Sequence, residues 1–419
     1  MSWVDVVTAK ASKFSAEVKQ YLLITGNYWA FTLTDGALRM LVVLYFHALG
    51  YSPLKIAMLF IFYEVFGVIT NLLGGWFGAR WGLNRTMNVG LALQILALAM
   101  LLVPPAMLDF IWVMVAQALS GIAKDLNKMS AKSSLKLLVP SNAQDKLYKW
   151  VALLTGSKNA LKGIGFFLGG LLLSLFGFSG AVAGMAAALL LVWILSLFLL
   201  RKDFGKASNK PKFTELFSKS RAVNILSAAR LFLFGARDVW FVVALPVFLA
   251  SQLGWDYWQV SSFLAAWVIA YGFVQTIAPY FTGKKSGHVP DGRTALRWVL
   301  PLALIPAAIA LLLYSAVNPG LVLIAGLMLF GVLFAINSSL HSYLILSYAR
   351  EDGVSMDVGF YYMANAMGRL IGTVLSGWVF QAYGLPACLW VSSVFLVLTA
   401  GISVALPRHA KPPSTACGL

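Results

Sequence analysis

The sequence predicts an all-α integral membrane protein with twelve transmembrane helices in two pseudo-symmetric six-helix bundles. Three observations support this fold class. Of the 419 residues, 60% are hydrophobic and only 11% are charged, which excludes an ordinary soluble domain. Apolar segments of about 20 residues, long enough to span a bilayer as a helix, recur along the chain. Between these segments, lysine and arginine occur only in alternate connections.

The predicted helices follow one another with short connections. In the first half we expect them at 21–49, 53–79, 84–105, 108–130, 154–176 and 180–200. In the second half we expect them at 224–254, 257–281, 295–315, 319–347, 356–383 and 385–406. The first apolar segment is too long for a cleavable signal peptide and lacks a small-residue cleavage site, so we expect it to remain as a helix.

The charge of the connections predicts the orientation of the chain. Basic residues precede the first helix and follow the second, fourth, sixth, eighth, tenth and last. The intervening connections, such as "LGYSP", "FGFSG" and "AYGLP", contain none. The positive-inside rule therefore places both termini in the cytoplasm. Because the net charge of +17 is dispersed among membrane loops, we do not expect nucleic-acid binding.

The chain divides into two weakly similar halves. We expect an N-terminal bundle at 1–200, a cytoplasmic linker at 201–221, a C-terminal bundle at 222–407 and a cytoplasmic tail at 408–419. Internal repeats of this kind are typical of secondary transporters. The matching positions are Gly165, Gly170 and Gly177 with Gly372, Gly377 and Gly384, Lys162 with Arg369, Asn127 with Asn337, and Asp35 with Asp238.

Catalytic motifs are not found in the sequence. Cys388 and Cys417 are too few to form a metal cage, and we expect them to be unpaired. The four histidines are scattered, and only His341 falls inside a predicted helix. Because the sequence contains no nucleophile elbow, phosphate loop or metal-ligand motif, we do not expect an enzyme. We expect no metal and no cofactor.

The connection after the second predicted helix, "GGWFGARWGLNR", contains a transporter signature. Gly75, Arg80, Gly82 and Arg85 fit its glycine and basic positions. With the two six-helix halves, this loop resembles that of the major facilitator superfamily of secondary transporters. The resemblance implies a gating role for these four residues. Ala79 occupies the acidic position of the signature, which leaves no carboxylate for the salt-bridge latch usual there.

Longer runs resemble the ArsJ organoarsenical efflux permeases. They are "TGNYWAFTLTDGALRMLVVLYFHALGYSP", "ALSGIAKDLNKMSAKSS", "GSKNALKG" and "GARDVWFVVALPVFL". The resemblance implies a bacterial inner-membrane exporter of 1-arseno-3-phosphoglycerate, whose export confers arsenate resistance. It also implies a functional partnership with the glyceraldehyde-3-phosphate dehydrogenase that makes this ester from arsenate. We expect a monomer in the lipid bilayer with a small anionic substrate.

Basic residues inside the membrane are candidate ligands for such an anion, because each costs about 2.5–3.5 kcal/mol to insert. The predicted substrate-binding residues are Arg39, Lys124, Lys162, Arg237, Arg369, Asn127 and Asn337. Arg39 lies near the midplane, and the alternative for it is an internal pair with Asp35, one turn earlier. Arg237 and Asp238 are adjacent and do not share a helix face, so we expect Arg237 to be freer than Arg39 to point into a cavity.

Four lysines repeat at four-residue intervals along the fourth predicted helix and share one face: Lys124, Lys128, Lys132 and Lys136. We expect Lys124 to lie inside the bilayer without a counter-ion, because Asp125 is better placed to pair with Lys128. We expect Lys132 and Lys136 beyond the inner interface. Two interpretations of Lys128, Lys132 and Lys136 remain open. They are either positive-inside charges whose long side chains reach the membrane surface, or an electrostatic funnel that guides anions from the cytoplasm.

Acidic residues and a histidine are candidates for coupling or gating. These candidates are Asp35, Glu64, Asp125, Asp238 and His341. Glu64 is the most isolated carboxylate in an apolar segment, so it is either a proton carrier or a hydrogen-bonded structural acid. Proton antiport, phosphate exchange and uniport all remain open. The alternatives to organoarsenical export are transport of another organophosphate or small organic anion, and drug export.

Overall fold

The computed structural model describes residues 16–51, 58–140, 142–200, 204–208, 220–255, 257–284, 289–315 and 317–408. Throughout this part of the chain the regular secondary structure is helical. The helices of the first half are α1 (Ala16–Ala48), α2 (Ile61–Trp81), α3 (Leu83–Met100), α4 (Phe110–Leu138) and a long helix, Gln144–Leu199, that breaks at Gly177 into α5 and α6.

The second half repeats this order. Helix α7 has two segments, Arg221–Phe241 and Ala244–Gln252, and α8, Tyr257–Pro279, continues into a π-helical turn, Tyr280–Lys284. They are followed by α9 (Gly292–Leu312), α10 (Pro319–Tyr348) and a long helix, Val354–Ser403, that breaks at Gly384 into α11 and α12.

The two breaks occur at glycines that the sequence repeat pairs with each other. Gly177 has φ 65° and ψ −177°, and Gly384 has φ 78° and ψ −178°. Only glycine adopts this region readily, because a Cβ atom would clash with the backbone. Each glycine therefore reverses the chain within one residue and joins two antiparallel helices without a loop.

The structure confirms the predicted twelve-helix membrane fold within the described residues. Eight helices are long and apolar enough to cross a membrane, and two of these contain the glycine breaks. The more polar α3 and α4 complete the set. Packing repeats between the halves: α1 contacts α5 and α6 as α7 contacts α11 and α12, and α3 contacts α4 as α9 contacts α10.

Several helices are longer than the apolar segments predicted. Helix α1 begins at Ala16 rather than 21, α4 ends at Leu138 rather than 130, and α5 begins at Gln144 rather than 154. Hydropathy detects only the part of a helix that faces lipid, whereas these extensions pack against other helices. Most of the predicted linker, 201–221, and of the tail, 408–419, lies outside the described residues.

The two halves meet along α2 with α11 and α5 with α8. We call the side on which α1 begins and α12 ends the terminal side. There, Ser355 Oγ donates to the Gly75 carbonyl at 2.7 Å, and the Tyr148 and Thr282 hydroxyls are 2.8 Å apart. A Cβ atom added at Gly75 would collide with the Ser355 carbonyl, so glycine permits this close approach. These contacts close the bundle on the terminal side.

Candidate functional site

Charged side chains from both halves meet midway between the ends of the bundle, in what we call the central layer. Arg369 stands halfway along α11, and Arg237 stands halfway along α7. From the first half, α1 contributes Arg39, α2 contributes Glu64 and α4 contributes Lys124. Charged groups at this depth must pair with each other or face water, because lipid can neither neutralise nor hydrate a charge.

Glu64 joins the two halves through two arginines. Its Oε1 lies 3.5 Å from Nη2 of Arg39 and 3.4 Å from Nη2 of Arg369. The side chains of Glu64 and Arg369 are 33% and 32% exposed, so they line an open space rather than a sealed core. Glu64 therefore has two charged partners, although its apolar neighbours in sequence had indicated an isolated carboxylate. Arg39 pairs with Glu64 rather than with Asp35.

Asp238 is held by two arginines of its own half. Its side chain is 0% exposed, with Oδ2 3.1 Å from Nε of Arg369 and Oδ1 2.5 Å from Nη2 of Arg237. The prediction that Arg237 is freer than Arg39 to point into a cavity is therefore wrong, since the Arg237 side chain is 15% exposed and that of Arg39 is 24% exposed. The long arginine side chain folds back along its helix to reach the adjacent carboxylate, and its guanidinium lies 5.0 Å from the ring centroid of Phe234.

Tyr63 contacts one acid and two bases of the first half. Its hydroxyl donates to Asp35, lying 2.8 and 3.0 Å from the two carboxylate oxygens. The Arg39 guanidinium lies 4.5 Å from the centroid of the same ring and Lys124 Nζ lies 3.7 Å from it. A ring face attracts cations through its quadrupole. Sequence reasoning missed this residue, because an aromatic side chain in an apolar helix has no distinguishing pattern.

Asp125 is shared by two lysines of α4. Its Oδ1 lies 2.5 Å from Lys128 Nζ, which confirms the predicted pair. Its Oδ2 lies 3.7 Å from Lys124 Nζ, so the prediction that Lys124 has no counter-ion is wrong. Adjacent residues on a helix diverge, but a lysine stem is long enough to bring its ammonium back to the neighbouring carboxylate.

Lys162 differs from Arg369, its counterpart in the repeat. Its ammonium lies 5.8 Å from the Phe166 ring centroid. Among the described residues, no carboxylate lies within ion-pair distance of it. Lys162 is half-buried on α5, and its backbone lies close to Gly36 of α1. Lys162 is therefore a base of the central layer without a direct ion pair within the part of the chain described, and the acids Asp35 and Glu64 act on it only at longer range.

The two asparagines predicted as substrate ligands lie away from the central layer. Asn127 packs against Gly90 of α3, and Asn337 donates at 2.8 Å to the Trp298 carbonyl of α9. Both amides also donate to a carbonyl one turn earlier on their own helix. Their matching places in the two halves reflect a shared packing role, which joins α3 to α4 and α9 to α10.

The signature loop lies at the terminal side. Gly82, with φ 96°, forms the turn between α2 and α3. Arg80 stacks on Trp76, with Cζ 4.9 Å from the ring centroid, and the Arg85 side chain is exposed. Neither arginine occupies the central layer, so the loop lies at the closed, terminal side of the bundle.

Ala79, at the acidic position of the signature, is fully buried and contacts the connection between the halves. Its carbonyl accepts a 2.9 Å hydrogen bond from the Ala207 N–H. In the same segment, 204–208, the Ser208 N–H donates at 2.8 Å to Asp352, in the turn between α10 and α11. Segment 204–208, which we call the strap, therefore links the two halves through backbone hydrogen bonds. It does so at the position where the signature usually provides a salt bridge.

Two buried bases on the terminal side of the central layer were not predicted there. Lys132 is 4% exposed, and its ammonium donates to the Tyr362 hydroxyl at 2.6 Å, so it is buried between the two halves rather than exposed to water. Arg230 of α7 is 3% exposed. The rule that selected Arg39, a base inside an apolar segment, would also have selected Arg230. His341 is fully buried on α10, near Arg230.

The sequence matches the Major Facilitator Superfamily over residues 24–296 and 232–416, so the chain belongs to that superfamily. None of the curated proteins compared with it matches. The fold is similar to that of the Escherichia coli fucose:proton symporter FucP, with a TM-score of 0.74 and 13% identity over 94% of this chain and 100% of that one. Membership of the superfamily identifies a multi-pass membrane transporter of small solutes rather than an enzyme.

Two further structures have the same fold. The human organic anion transporter MFSD10 (TETRAN) has a TM-score of 0.74 and 15% identity over 93% of this chain and 100% of that one. A bacterial homologue of the iron transporter ferroportin, in an outward-facing state, has a TM-score of 0.73 and 13% identity over 92% and 98%. At these identities the similarity shows the fold alone.

Proposed function

We propose that this chain exports 1-arseno-3-phosphoglycerate across a bacterial inner membrane by secondary active transport, and so confers arsenate resistance. The observation that carries the proposal is the Glu64 carboxylate, held between Arg39 of one half and Arg369 of the other. This carboxylate occupies the position that a phosphate or arsenate oxyanion takes when it displaces Glu64. Guanidinium groups suit these anions because they bind two oxygens at once.

The charge of the central layer supports an anionic substrate. Asp125 and Asp238 are each held by two bases, and Asp35 by the Tyr63 hydroxyl. When Glu64 moves away, Arg39 and Arg369 become available to the ligand, in addition to Lys162. A transporter of cationic drugs needs the opposite balance, with carboxylates in excess.

The arrangement also suits a substrate with an anionic group at each end. In the proposed complex, one end binds Arg39, Lys124 and Lys162 of the first half. The other end binds Arg369 and Arg237 of the second half. A ligand that contacts both halves stabilises their approach to each other, which is the step that alternating access requires.

The specific substrate rests on the ArsJ-like runs of sequence. Arg39, Lys124, Lys162 and Arg237 all lie within these runs. In this proposal a glyceraldehyde-3-phosphate dehydrogenase supplies the ester, and the terminal side is cytoplasmic because the basic connections lie there. The conformation described, closed on the terminal side, is then the state from which the substrate has left, with Glu64 restored to the two arginines.

Transport into everted membrane vesicles tests this proposal. Vesicles given arsenate, the dehydrogenase and its substrates should accumulate arsenic, and omission of the dehydrogenase should stop accumulation. The matched control is Lys136→Gln, which removes a base at the end of α4 and should transport normally, whereas Arg39→Gln should not. Equal uptake with and without the enzyme would identify an arsenate carrier, and uptake of arsenite would contradict the organoarsenical assignment.

The same assay distinguishes the organoarsenical from the second candidate substrate, which is another organophosphate or small organic anion. The central layer favours this candidate equally, since its bases recognise the charge of the ligand rather than its arsenic atom. Competition by unlabelled 3-phosphoglycerate distinguishes the two. Weak competition supports the organoarsenical, and competition as strong as that by the ester itself supports a general organophosphate transporter.

A further inference from the structure

A second group of bases lies on the terminal side of the central layer, between the two halves. Helix α4 contributes Lys128 and Lys132, and α7 contributes Arg230. They surround Tyr362 and Asn365 of α11. At 1.5 Å per residue, each helix places this group roughly 6–12 Å from its own member of the central layer. We call these five residues the lower cluster.

The contacts within the lower cluster are made by neutral partners. Lys132 Nζ donates to the Tyr362 hydroxyl at 2.6 Å, and Lys128 and Lys132 lie 4.8 and 4.9 Å from the centroid of the Tyr362 ring. Arg230 Nε donates to Asn365 Oδ1 at 2.8 Å, and another of its nitrogens donates to the Ser338 carbonyl at 3.2 Å.

Two of these bases lack a counter-charge. Among the described residues, no carboxylate lies within ion-pair distance of Lys132 or Arg230, although the two side chains are only 4% and 3% exposed. A buried charge without a counter-charge is strongly disfavoured. Beside them, the Tyr361 hydroxyl and both ring nitrogens of His341 are buried and have no hydrogen-bond partner within the described part of the chain.

We propose that the lower cluster is a second anion-binding site, which takes a tetrahedral oxyanion of the phosphate class when the terminal side opens. In the conformation described, closure of the halves seals it. The proposal rests on the proposed function, since the site then lies on the route from the cytoplasm to the central layer. The oxyanion comes either from the phosphate end of the substrate in transit or from free inorganic phosphate.

Binding of radiolabelled inorganic phosphate to the purified full-length protein in lipid nanodiscs tests the inference. Lys132→Gln and Arg230→Gln should each weaken binding about tenfold or more, since each removes a charged hydrogen-bond donor. The matched variant is Lys136→Gln, which removes a base one turn further along α4, outside the lower cluster, and it should bind within about twofold of wild type. Lys132→Arg should retain binding, which separates loss of charge from misfolding.

The outcomes separate this inference from the proposed function. Wild-type phosphate binding by Lys132→Gln and Arg230→Gln overturns the inference, while loss of ester transport in Arg39→Gln would still support the central layer. Loss of phosphate binding in the two cluster variants, with normal ester transport in Arg39→Gln, supports the inference and overturns the proposed role of the central layer. If Lys136→Gln is as defective as Lys132→Gln, binding depends on the total charge of α4 rather than on the lower cluster, and the inference is wrong.

Ester transport in vesicles distinguishes the two sources of the oxyanion, the substrate in transit and free inorganic phosphate. If free phosphate is the ligand, phosphate on the opposite side should stimulate transport by wild type and fail to stimulate Lys132→Gln. If the substrate itself passes through the lower cluster, Lys132→Gln should slow transport equally with and without phosphate. Both results support the site and differ only in what fills it.

Discussion

The two halves of the bundle place ionisable residues at matching positions and compensate them in different ways. In the second half, Asp238 is held by both Arg237 and Arg369. In the first half, the matching Asp35 accepts hydrogen bonds from the neutral Tyr63 hydroxyl, and Lys162, the counterpart of Arg369, has no carboxylate partner among the described residues.

The difference indicates a division of labour between the halves. In the proposed function, the first half keeps a positive charge available for an anion. The second half pairs its charges with each other, and under the same proposal Arg369 becomes available to a ligand when Glu64 releases it. Pseudo-symmetry therefore preserves the positions of the helices, whereas the chemistry of the two halves has diverged.

Removal of Arg369 should have the largest effect, because this side chain contacts two carboxylates and links the halves. Arg369→Gln should abolish transport and lower the free energy of unfolding by about 1–3 kcal/mol, because charged hydrogen bonds to two carboxylates are lost from a partly exposed site. Vesicle transport and thermal unfolding in detergent measure the two effects. An unchanged unfolding temperature would show that the second half does not depend on its charge cluster.

Removal of one base from a shared carboxylate should affect transport more than stability. Arg39→Ala, Lys124→Ala and Arg237→Ala should each abolish efflux at normal membrane expression, because the acid involved keeps a second base: Arg369, Lys128 and Arg369, respectively. Lys136→Ala is the control and should be nearly silent. Wild-type efflux in all three variants would contradict the assignment of the central layer to an anion.

Tyr63→Phe tests the neutral compensation of Asp35. Loss of the hydroxyl leaves a buried carboxylate without this donor, which should cost about 1–3 kcal/mol of stability. The remaining ring still attracts Arg39 and Lys124, so substrate affinity should change little. Thermal unfolding and substrate competition measure the two quantities, and a large loss of affinity with normal stability would instead make the hydroxyl a substrate ligand.

Lys162→Gln should have the smallest and most informative effect. Because Lys162 lacks a counter-ion in the described structure, its removal should weaken substrate binding about tenfold without lowering the unfolding temperature. Lys162→Arg should restore binding. A fall in stability like that expected for Arg369→Gln would show that the two repeat positions are equivalent after all.

The fold was predictable from the sequence to a greater extent than the site. Apolar segments and the paired glycines Gly177 and Gly384 define the helices, because burial in lipid and a positive φ are local requirements. The pair between Glu64 and Arg369 joins residues 305 positions apart, which no local pattern indicates. The error over Arg237 arose because helical periodicity describes the direction of Cβ, whereas a long side chain can turn back to its neighbour.

The strap at 204–208 has a consequence for how the halves separate. It is bonded to the last turn of α2 at Ala79 and to the turn before α11 at Asp352. In both contacts the donor is a backbone N–H, which every residue except proline possesses. The strap therefore acts as a short tether of fixed length: the terminal side cannot open widely until one end detaches, and that requirement is independent of most side chains within the segment.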